Sequence, residues 1–255
     1  MRRMIAALIA ALVLGAPAMP THAEDIKLTD VYKKLAEKNN YPVVLGLRKA
    51  TADVTCNVLS QVVGAFPEAA GADVKVAYSW SRPSEDVAPD KSFRVTGIPD
   101  GLTDLTNRAN VILQQAKDFV IEDPVYWTIA QTEARASGGS GTITVTGSGP
   151  QISNLTVKID EQTWQVHMME LEVGGSEITF EITSENLGGR WGTKSLLLTH
   201  PQATRLVTYE YTKVDGFWLP RKISLEFKGT EEPTFVYEFS NWRVESQPTV
   251  AEAAS

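Results

Sequence analysis

"KVDGFWLPRKISLEF", residues 213–227, has the alternation and the turn residues of two paired β-strands. Asp215-Gly216 supplies the turn, because glycine adopts a positive φ without steric cost. The second arm alternates apolar and polar side chains, the apolar ones being Ile223, Leu225 and Phe227. The stretch therefore predicts a β-hairpin with one apolar and one wet face.

An aromatic pair and a proline follow the turn directly. Pro220 has no backbone N–H, so we expect regular strand pairing to start only at Arg221. This places Phe217 and Trp218 at the rim of a curved sheet rather than in a catalytic site.

The pattern of this hairpin continues over most of the chain. From residue 126 to residue 244, alternating segments are separated by turns rich in glycine. The predicted strands are 126–135, 141–147, 153–160, 163–173, 177–184, 193–199, 205–214, 218–228 and 234–244. Most have one apolar face, and so many strands must curl into a barrel or half-barrel, or divide into a sandwich.

The amino-terminal half mixes strands and helices. The sequence predicts a helix from Thr29 to Asn39, strands at 50–58, 74–80 and 92–97, and an amphipathic helix of about five turns over 102–119, capped by Asp100. The segment 43–66 also fits a helical pattern. We therefore predict a mainly β (α+β) fold: a curved antiparallel sheet or half-open barrel of about 11–12 strands, with two helices as plug or lid.

The first 23 residues have the composition of a bacterial-type secretory signal peptide: two arginines, an apolar run from Met4 to Leu14, then small residues. We expect a single mature domain over 24–245, in the periplasm and without a lipid anchor, and a disordered tail over 246–255. No later stretch approaches the ~20 consecutive apolar residues of a transmembrane helix.

Charge narrows the possible partners. Removing Arg2 and Arg3 leaves 22 basic against 31 acidic residues and a net charge of −9. Without a cluster of Lys or Arg, binding to nucleic acid or to an anionic membrane surface is not expected. We expect a monomer.

Catalytic signals are missing from the sequence. It has neither a nucleophile elbow nor a glycine loop for phosphate. No Cys, His, Asp or Glu lies at a spacing from His167 or His200 that is typical of metal ligands, so structural roles are expected for both histidines. Cys56, the single cysteine, is expected to be a buried small apolar residue rather than a reactive thiol. We expect a protein that is not an enzyme and needs no cofactor or metal.

Two stretches resemble a known family. "VAYSWSRP", residues 76–83, followed by "SFRV", residues 92–95, resembles the early strand pair of the LolA/LolB-like lipoprotein carriers, where an aromatic strand ends in Arg-Pro. "YEYTKVDGFWLPRKISLEF", residues 209–227, is similar to the late hairpin of the wider lipoprotein-sorting-like group. The resemblance implies an incomplete barrel closed by a helical lid, with Arg82 holding the lid over the empty cavity. The alternative for Arg82 is an exposed arginine at a strand end.

The expected function is binding or carriage of a lipid or lipoprotein, with an acyl chain enclosed in the concave apolar face under the 102–119 helix. The alternative is an envelope sensor or protein-interaction module with a packed interior. Besides acyl chains, an envelope membrane protein or lipoprotein is considered as a partner. The side chains expected to line the cavity are Val76, Tyr78, Trp80, Leu105, Ile112, Phe119, Trp127, Ile143, Val145, Val157, Ile159, Phe180, Trp218, Ile223, Leu225 and Phe227.

Overall fold

The computed structural model describes residues 24–82, 89–121, 125, 128, 129 and 131–247. The predicted signal peptide, Trp127 and residues 248–255 of the predicted tail lie outside the described residues.

Strands dominate the described part of the chain. They are β1 (Glu24–Ile26), β2 (Leu47–Cys56), β3 (Lys75–Ser81), β4 (Asp90–Thr96), β5 (Glu133–Gly139), β6 (Thr142–Ser148), β7 (Asn154–Asp160), β8 (Val166–Val173), β9 (Ser176–Leu187), β10 (Arg190–His200), β11 (Ala203–Val214), β12 (Phe217–Lys228) and β13 (Phe235–Ser246).

All thirteen strands belong to one antiparallel sheet, in the order β1-β5-β6-β7-β8-β9-β10-β11-β12-β13-β2-β3-β4. Strands that follow one another in sequence are neighbours from β5 to β13, as expected for a series of hairpins. Among the described residues, the end strands β1 and β4 do not pair with each other, so the sheet is not closed. The predicted half-open antiparallel fold is confirmed.

The hairpin of residues 213–227 forms around the predicted turn. Asp215 has φ 46° and Gly216 has φ 91°, and a two-residue type I′ turn requires positive φ at both positions. The expected late start of pairing is wrong. Pairing begins at the first residue after the turn, and the break in register comes after Pro220, at a β-bulge that leaves Arg221 unpaired.

The described helices are α1 (Leu28–Lys38), α2 (Asn57–Gly64) and α3 (Thr103–Gln114), with 3₁₀ turns at Pro67–Ala69 and Lys117–Phe119. Helix α2 is additional to the two predicted helices. It occupies the second half of the segment that fitted both patterns, because Val58, Leu59, Val62 and Val63 recur at helical spacing once the alternation of β2 ends.

Both predicted helix caps are wrong. The residues at the N-cap positions are Lys27 and Leu102, and neither makes a capping side-chain bond. Thr29 lies inside the first turn of α1. Helix α3 has 12 residues, not five turns, and ends at Gln114. The apolar spacing that suggested a longer helix continues into the 3₁₀ turn, where Phe119 is half-buried.

One strand boundary also differs from the prediction, and one strand was not predicted. Strand β5 begins at Glu133, while Thr128 and Ile129 are helical, so a strand over 126–135 is wrong. The three-residue β1 was missed because alternation cannot be recognised over so short a segment.

The core lies on the inner face of the sheet and forms one hydrophobic cluster. Tyr78 and Trp80 of β3 and Tyr237 of β13 are fully buried there. The ring of Tyr78 lies 5.1 Å from that of Phe93 and 6.1 Å from that of Trp242. Aromatic side chains therefore fill the interior near β2–β4.

Helix α1 is fixed to the sheet at its carboxyl end. Arg190 Nη1 donates hydrogen bonds to the carbonyl oxygens of Ala36, at 2.7 Å, and of Asn39, at 3.3 Å. Asn39 Nδ2 donates to the Trp164 carbonyl oxygen at 3.1 Å. A cation suits this end because the helix dipole places partial negative charge on the last carbonyls.

We expect Arg190→Met to lower the free energy of unfolding by about 1–3 kcal/mol, because it leaves partly buried carbonyl oxygens without their donor. Lys194→Met is the control, since Lys194 is exposed on the same strand and makes no ion pair with any residue that the structure describes. Urea unfolding of the purified variants measures both values. Equal stabilities would contradict this account of Arg190.

Candidate functional site

The apolar inner face is covered unevenly. At one end of β9–β12, a continuous cross-strand row is formed by Phe180, Leu198, Arg205 and Phe227, which face one another in register. We call these four residues the open row, because each remains partly exposed. Two of its members, Phe180 and Phe227, also pack against the hydrophobic core.

The neighbouring row on the same face is fully covered. Ile182, Leu196, Val207 and Leu225 pair across the same four strands and are buried. They lie two residues along each strand from the open row, so side chains of both rows point inward. We call this second set the deep row.

A small cavity adjoins the deep row. Its volume is about 50 Å³, and it lies between the sheet and the segment Phe119–Ile121 with Val125. Its lining includes Ile182 and Leu196 of the deep row, Asn40 and Thr193 as polar groups, and five aromatic side chains: Phe119, Trp191, Tyr209, Tyr211 and Trp218. Ligand pockets usually measure about 300–1,000 Å³, so the cavity as it stands holds no acyl chain.

The residues predicted to line a cavity fall into three groups: some border the cavity, some belong to the open row, and most are buried in the packed interior. Of those in the described part, Phe119 and Trp218 border the cavity, and Phe180 and Phe227 belong to the open row. Trp127 lies outside the described residues. The others are buried in the packed interior: Val76, Tyr78, Trp80, Leu105, Ile112, Ile143, Val145, Val157, Ile159, Ile223 and Leu225.

Sequence reasoning missed several residues of the cavity and the open row. Tyr209 and Tyr211 line the cavity, and alternation along β11 could have placed them on one face with Val207. Alternation along β11 could likewise have placed Arg205 on this face, whereas its pairing with Leu198 needed the strand register, which sequence alone does not give across the β10–β11 turn.

A larger cleft opens at the rim. It measures about 380 Å³ and is bordered by the two turns at Gly188 and Asp215-Gly216, with the cations Arg190 and Lys213. Asn40 and Trp218 separate this cleft from the cavity, since both side chains line the two spaces. Asn40 Nδ2 donates to the Trp218 carbonyl oxygen at 3.1 Å. The cleft is a mixed polar surface beside the aromatic rim.

One hydrogen bond connects α3 to the centre of the sheet. The buried hydroxyl of Tyr237 on β13 donates to the Ile112 carbonyl oxygen at 2.6 Å. Burial raises the pKa of the Tyr237 phenol well above its usual range, with the nearby Cys56 adding to the rise. The phenol is therefore protonated at neutral pH and remains a donor.

The family resemblance assigned a lid-closing role to Arg82, and that role stays a prediction. Arg82 is 7% exposed, so it is not the exposed strand-end arginine of the alternative. Its backbone N–H donates to the Arg48 carbonyl oxygen at 2.8 Å, which continues the pairing of β2 and β3. The bond type expected of Arg82, from a guanidinium to carbonyls at a helix end, is made by Arg190.

Cys56 is buried at the end of β2, and burial raises the pKa of its thiol above the usual range. A thiol in this state is a poor nucleophile. Within the residues that the structure describes, no group of three or more His, Cys, Asp and Glu side chains could hold a metal ion.

Comparison with known proteins gives distant structural likenesses. No protein-family model matches the sequence, and the search of curated proteins gave no match. A DUF1329 family protein from Desulfovibrio piger has a TM-score of 0.35 and 9% identity, over 85% of this chain and 91% of that one. A LolA superfamily protein from Nitrosomonas europaea has a TM-score of 0.31 and 11% identity, over 89% and 97%.

A third solved structure is an outer membrane lipoprotein-sorting protein domain from Vibrio parahaemolyticus, with a TM-score of 0.29 and 10% identity, over 85% of this chain and 91% of that one. LolA-type structures are thus among those that the search found, in agreement with the expected resemblance.

None of the helices within the described ranges combines the length and the apolar composition needed to cross a membrane.

We expect Tyr237→Phe to lower the free energy of unfolding by about 1 kcal/mol and to speed hydrogen exchange in α3, because the Ile112 carbonyl loses the phenol donor and keeps the 3.3 Å bond from the Gln115 N–H. Hydrogen exchange followed by mass spectrometry measures the second effect. Tyr211→Phe is the matched control, since its hydroxyl donates to the Thr193 carbonyl oxygen, at 2.9 Å, within the sheet. Equal exchange of α3 in the two variants would contradict the assignment.

Proposed function

We propose that the protein is an exported, periplasmic carrier that binds the acyl chain of a lipid or lipoprotein at the inner face of β9–β12. The binding is non-covalent and leaves no role for a catalytic group. The observation that supports it best is the open row, where phenylalanine and leucine side chains on the inner face remain partly exposed, next to the deep row that borders the cavity.

The hydrophobic effect supplies the driving term. Each methylene that leaves water contributes roughly 0.8 kcal/mol, and the half-exposed side chains of the open row lose water as well. A chain of ten or so methylenes therefore contributes about 8 kcal/mol when fully buried, against which the costs of association and of ordering the chain are set.

An acyl chain that enters deeper must displace what covers the cavity. The cavity of about 50 Å³ is closed on one side by Phe119–Ile121. Phe119 is half-buried and ends the 3₁₀ turn Lys117–Phe119. In this proposal the cover is this segment rather than α3, which packs mainly against α2 and β4.

A second candidate is an envelope interaction module with a packed interior. The small cavity volume favours it, because most of the predicted lining is filled core. Such a module needs a contiguous exposed apolar patch, typically of several hundred Å². In the described ranges the exposed large apolar residues are Val111 on α3 and Val173 on β8. We therefore favour the carrier.

Leu198 and Leu197 give a matched test of the carrier proposal. Both are half-buried leucines on β10, but Leu198 belongs to the open row and Leu197 points to the opposite face. We expect Leu198→Glu to weaken binding of a fluorescent hexadecanoyl probe by tenfold or more, because a carboxylate in the row opposes burial of the chain. We expect Leu197→Glu to bind as the unmodified protein does.

Fluorescence titration with unlabelled hexadecanoate as competitor measures the two affinities. Thermal unfolding of both variants shows that each is folded before binding is compared. Absence of saturable, displaceable binding in the unmodified protein would refute the carrier proposal and leave the interaction module.

A further inference from the structure

We propose that the ligand is an amphiphile with an anionic headgroup, and that Arg205 in the open row binds this headgroup. The inference rests on the proposed function, since it names the class of molecule that the same site takes. It places the negative group at the β10–β11 end of the inner face and the chain along β11 toward the cavity.

Arg205 stands at a position where the pattern requires an apolar residue. It shares its face with Val207, which is fully buried, and pairs in register with Leu198 and Phe227. Its guanidinium carbon lies 5.0 Å from the centre of the Phe227 ring. This stacking orients the guanidinium on the apolar face, where a cation held by a ring still has its N–H donors free for a ligand.

No carboxylate of the described chain neutralises this cation. The structure records no ion pair or hydrogen bond from the Arg205 side chain to any described residue. The carboxylate nearest in sequence on β12 is Glu226, which pairs with Lys228 at 2.8 Å. Because Glu226 adjoins Phe227, it points to the other face of the sheet. A partly desolvated guanidinium without a counter-ion favours an anionic ligand.

The chain polarity follows from the order of residues on β11. Arg205 is followed on the same face by Val207 of the deep row and then by Tyr209, which lines the cavity. At about 3.4 Å per residue, Arg205 and Tyr209 are roughly 14 Å apart along the strand. A headgroup at Arg205 therefore directs an acyl chain along the inner face toward the cavity, and the chain reaches the cavity by displacing what covers Val207.

A single amphiphile fits this arrangement better than a membrane surface. The whole chain carries a net charge of −7, and no group of cations surrounds Arg205 on its row. Peripheral binding to anionic bilayers usually needs several Lys or Arg near the surface. The rim cleft is the weaker headgroup site, because Asp215 borders it and the Arg190 guanidinium already donates to helix carbonyls.

Two matched ligand pairs test the inference and separate the sources of the anion. The first pair is hexadecanoate and its methyl ester, which differ in the carboxylate charge. The second is lysophosphatidylglycerol and lysophosphatidylcholine with the same acyl chain, which differ in net headgroup charge. Displacement of the fluorescent hexadecanoyl probe gives the affinity of each, with the unmodified protein, Arg205→Gln, Arg205→Lys and Arg135→Gln.

We expect the unmodified protein to bind the anionic member of at least one pair tenfold or more tightly than its partner, the scale of a charge-assisted hydrogen bond. Arg205→Gln should abolish this preference while still binding both members. Arg205→Lys should keep part of it, because the charge remains without the planar fork. Arg135→Gln removes an exposed arginine on the opposite face of β5 and should change nothing.

A preference in the carboxylate pair alone assigns a fatty carboxylate, and one in the phosphate pair alone assigns an anionic phospholipid. Equal binding of both members in each pair, or a preference that survives in Arg205→Gln, overturns the inference and leaves the carrier proposal intact. Failure to bind any of the four amphiphiles overturns the carrier proposal itself. Thermal unfolding of each variant confirms that loss of preference is not loss of fold.

Discussion

Burial of the inner face of one thirteen-stranded sheet is the constraint on which the rest of the molecule depends. A sheet of this size, apolar on one face, must curve and be covered. The three described α-helices have 8 to 12 residues each, which is little material for the task. Helices α2 and α3 lie near β13, β2 and β4, and α1 lies near β5 and β10. At the cavity the inner face of β9–β12 is covered by Phe119–Ile121 and Val125, and at the open row it stays partly exposed.

The helices are held over the core by few polar bonds to the sheet. Arg190 fixes the end of α1, and Tyr237 fixes α3. Such bonds contribute about 1 kcal/mol each in net terms, so most of the stability must come from apolar contact. In the segment Phe119–Ile121, Phe119 ends the 3₁₀ turn Lys117–Phe119, which has no capping side chain, and Val120 and Ile121 are buried in the core. Displacing the segment exposes these two aliphatic side chains, at a cost comparable with the gain from burying several methylenes.

The strand pattern could be predicted from the sequence because alternation and glycine turns are local signals. The eight strands from β6 to β13 lie within a few residues of their predicted bounds, and the Asp215-Gly216 turn formed as expected. The ends of the helices were harder to predict from the sequence. Neither α1 nor α3 has a side-chain cap, so Thr29 and Asp100 were misleading as signals of a helix start.

Predicting the candidate site required the strand register and the identity of the segments that cover the sheet. Sequence composition gives neither. Alternation predicted an apolar inner face, yet whether Tyr78 or Trp218 faces a void is decided by the chain segments that lie over them. Those segments are joined to the sheet by contacts distant in sequence, such as the bond from Tyr237 to Ile112. Local patterns therefore located the inner face but not its uncovered part.

Arg205 was readable in the sequence and shows what kind of signal to seek. In "ATRLVTYEY", residues 203–211, the alternate positions are Arg205, Val207 and Tyr209, so a cation interrupts an otherwise apolar series. Natural sequences keep such violations of the binary pattern mainly where function requires them. A sheet face that merely needed burial would gain from leucine at this position. Arginine at this position opposes burial of the sheet face, because its charge requires water or a counter-ion. The row around it therefore stays partly exposed.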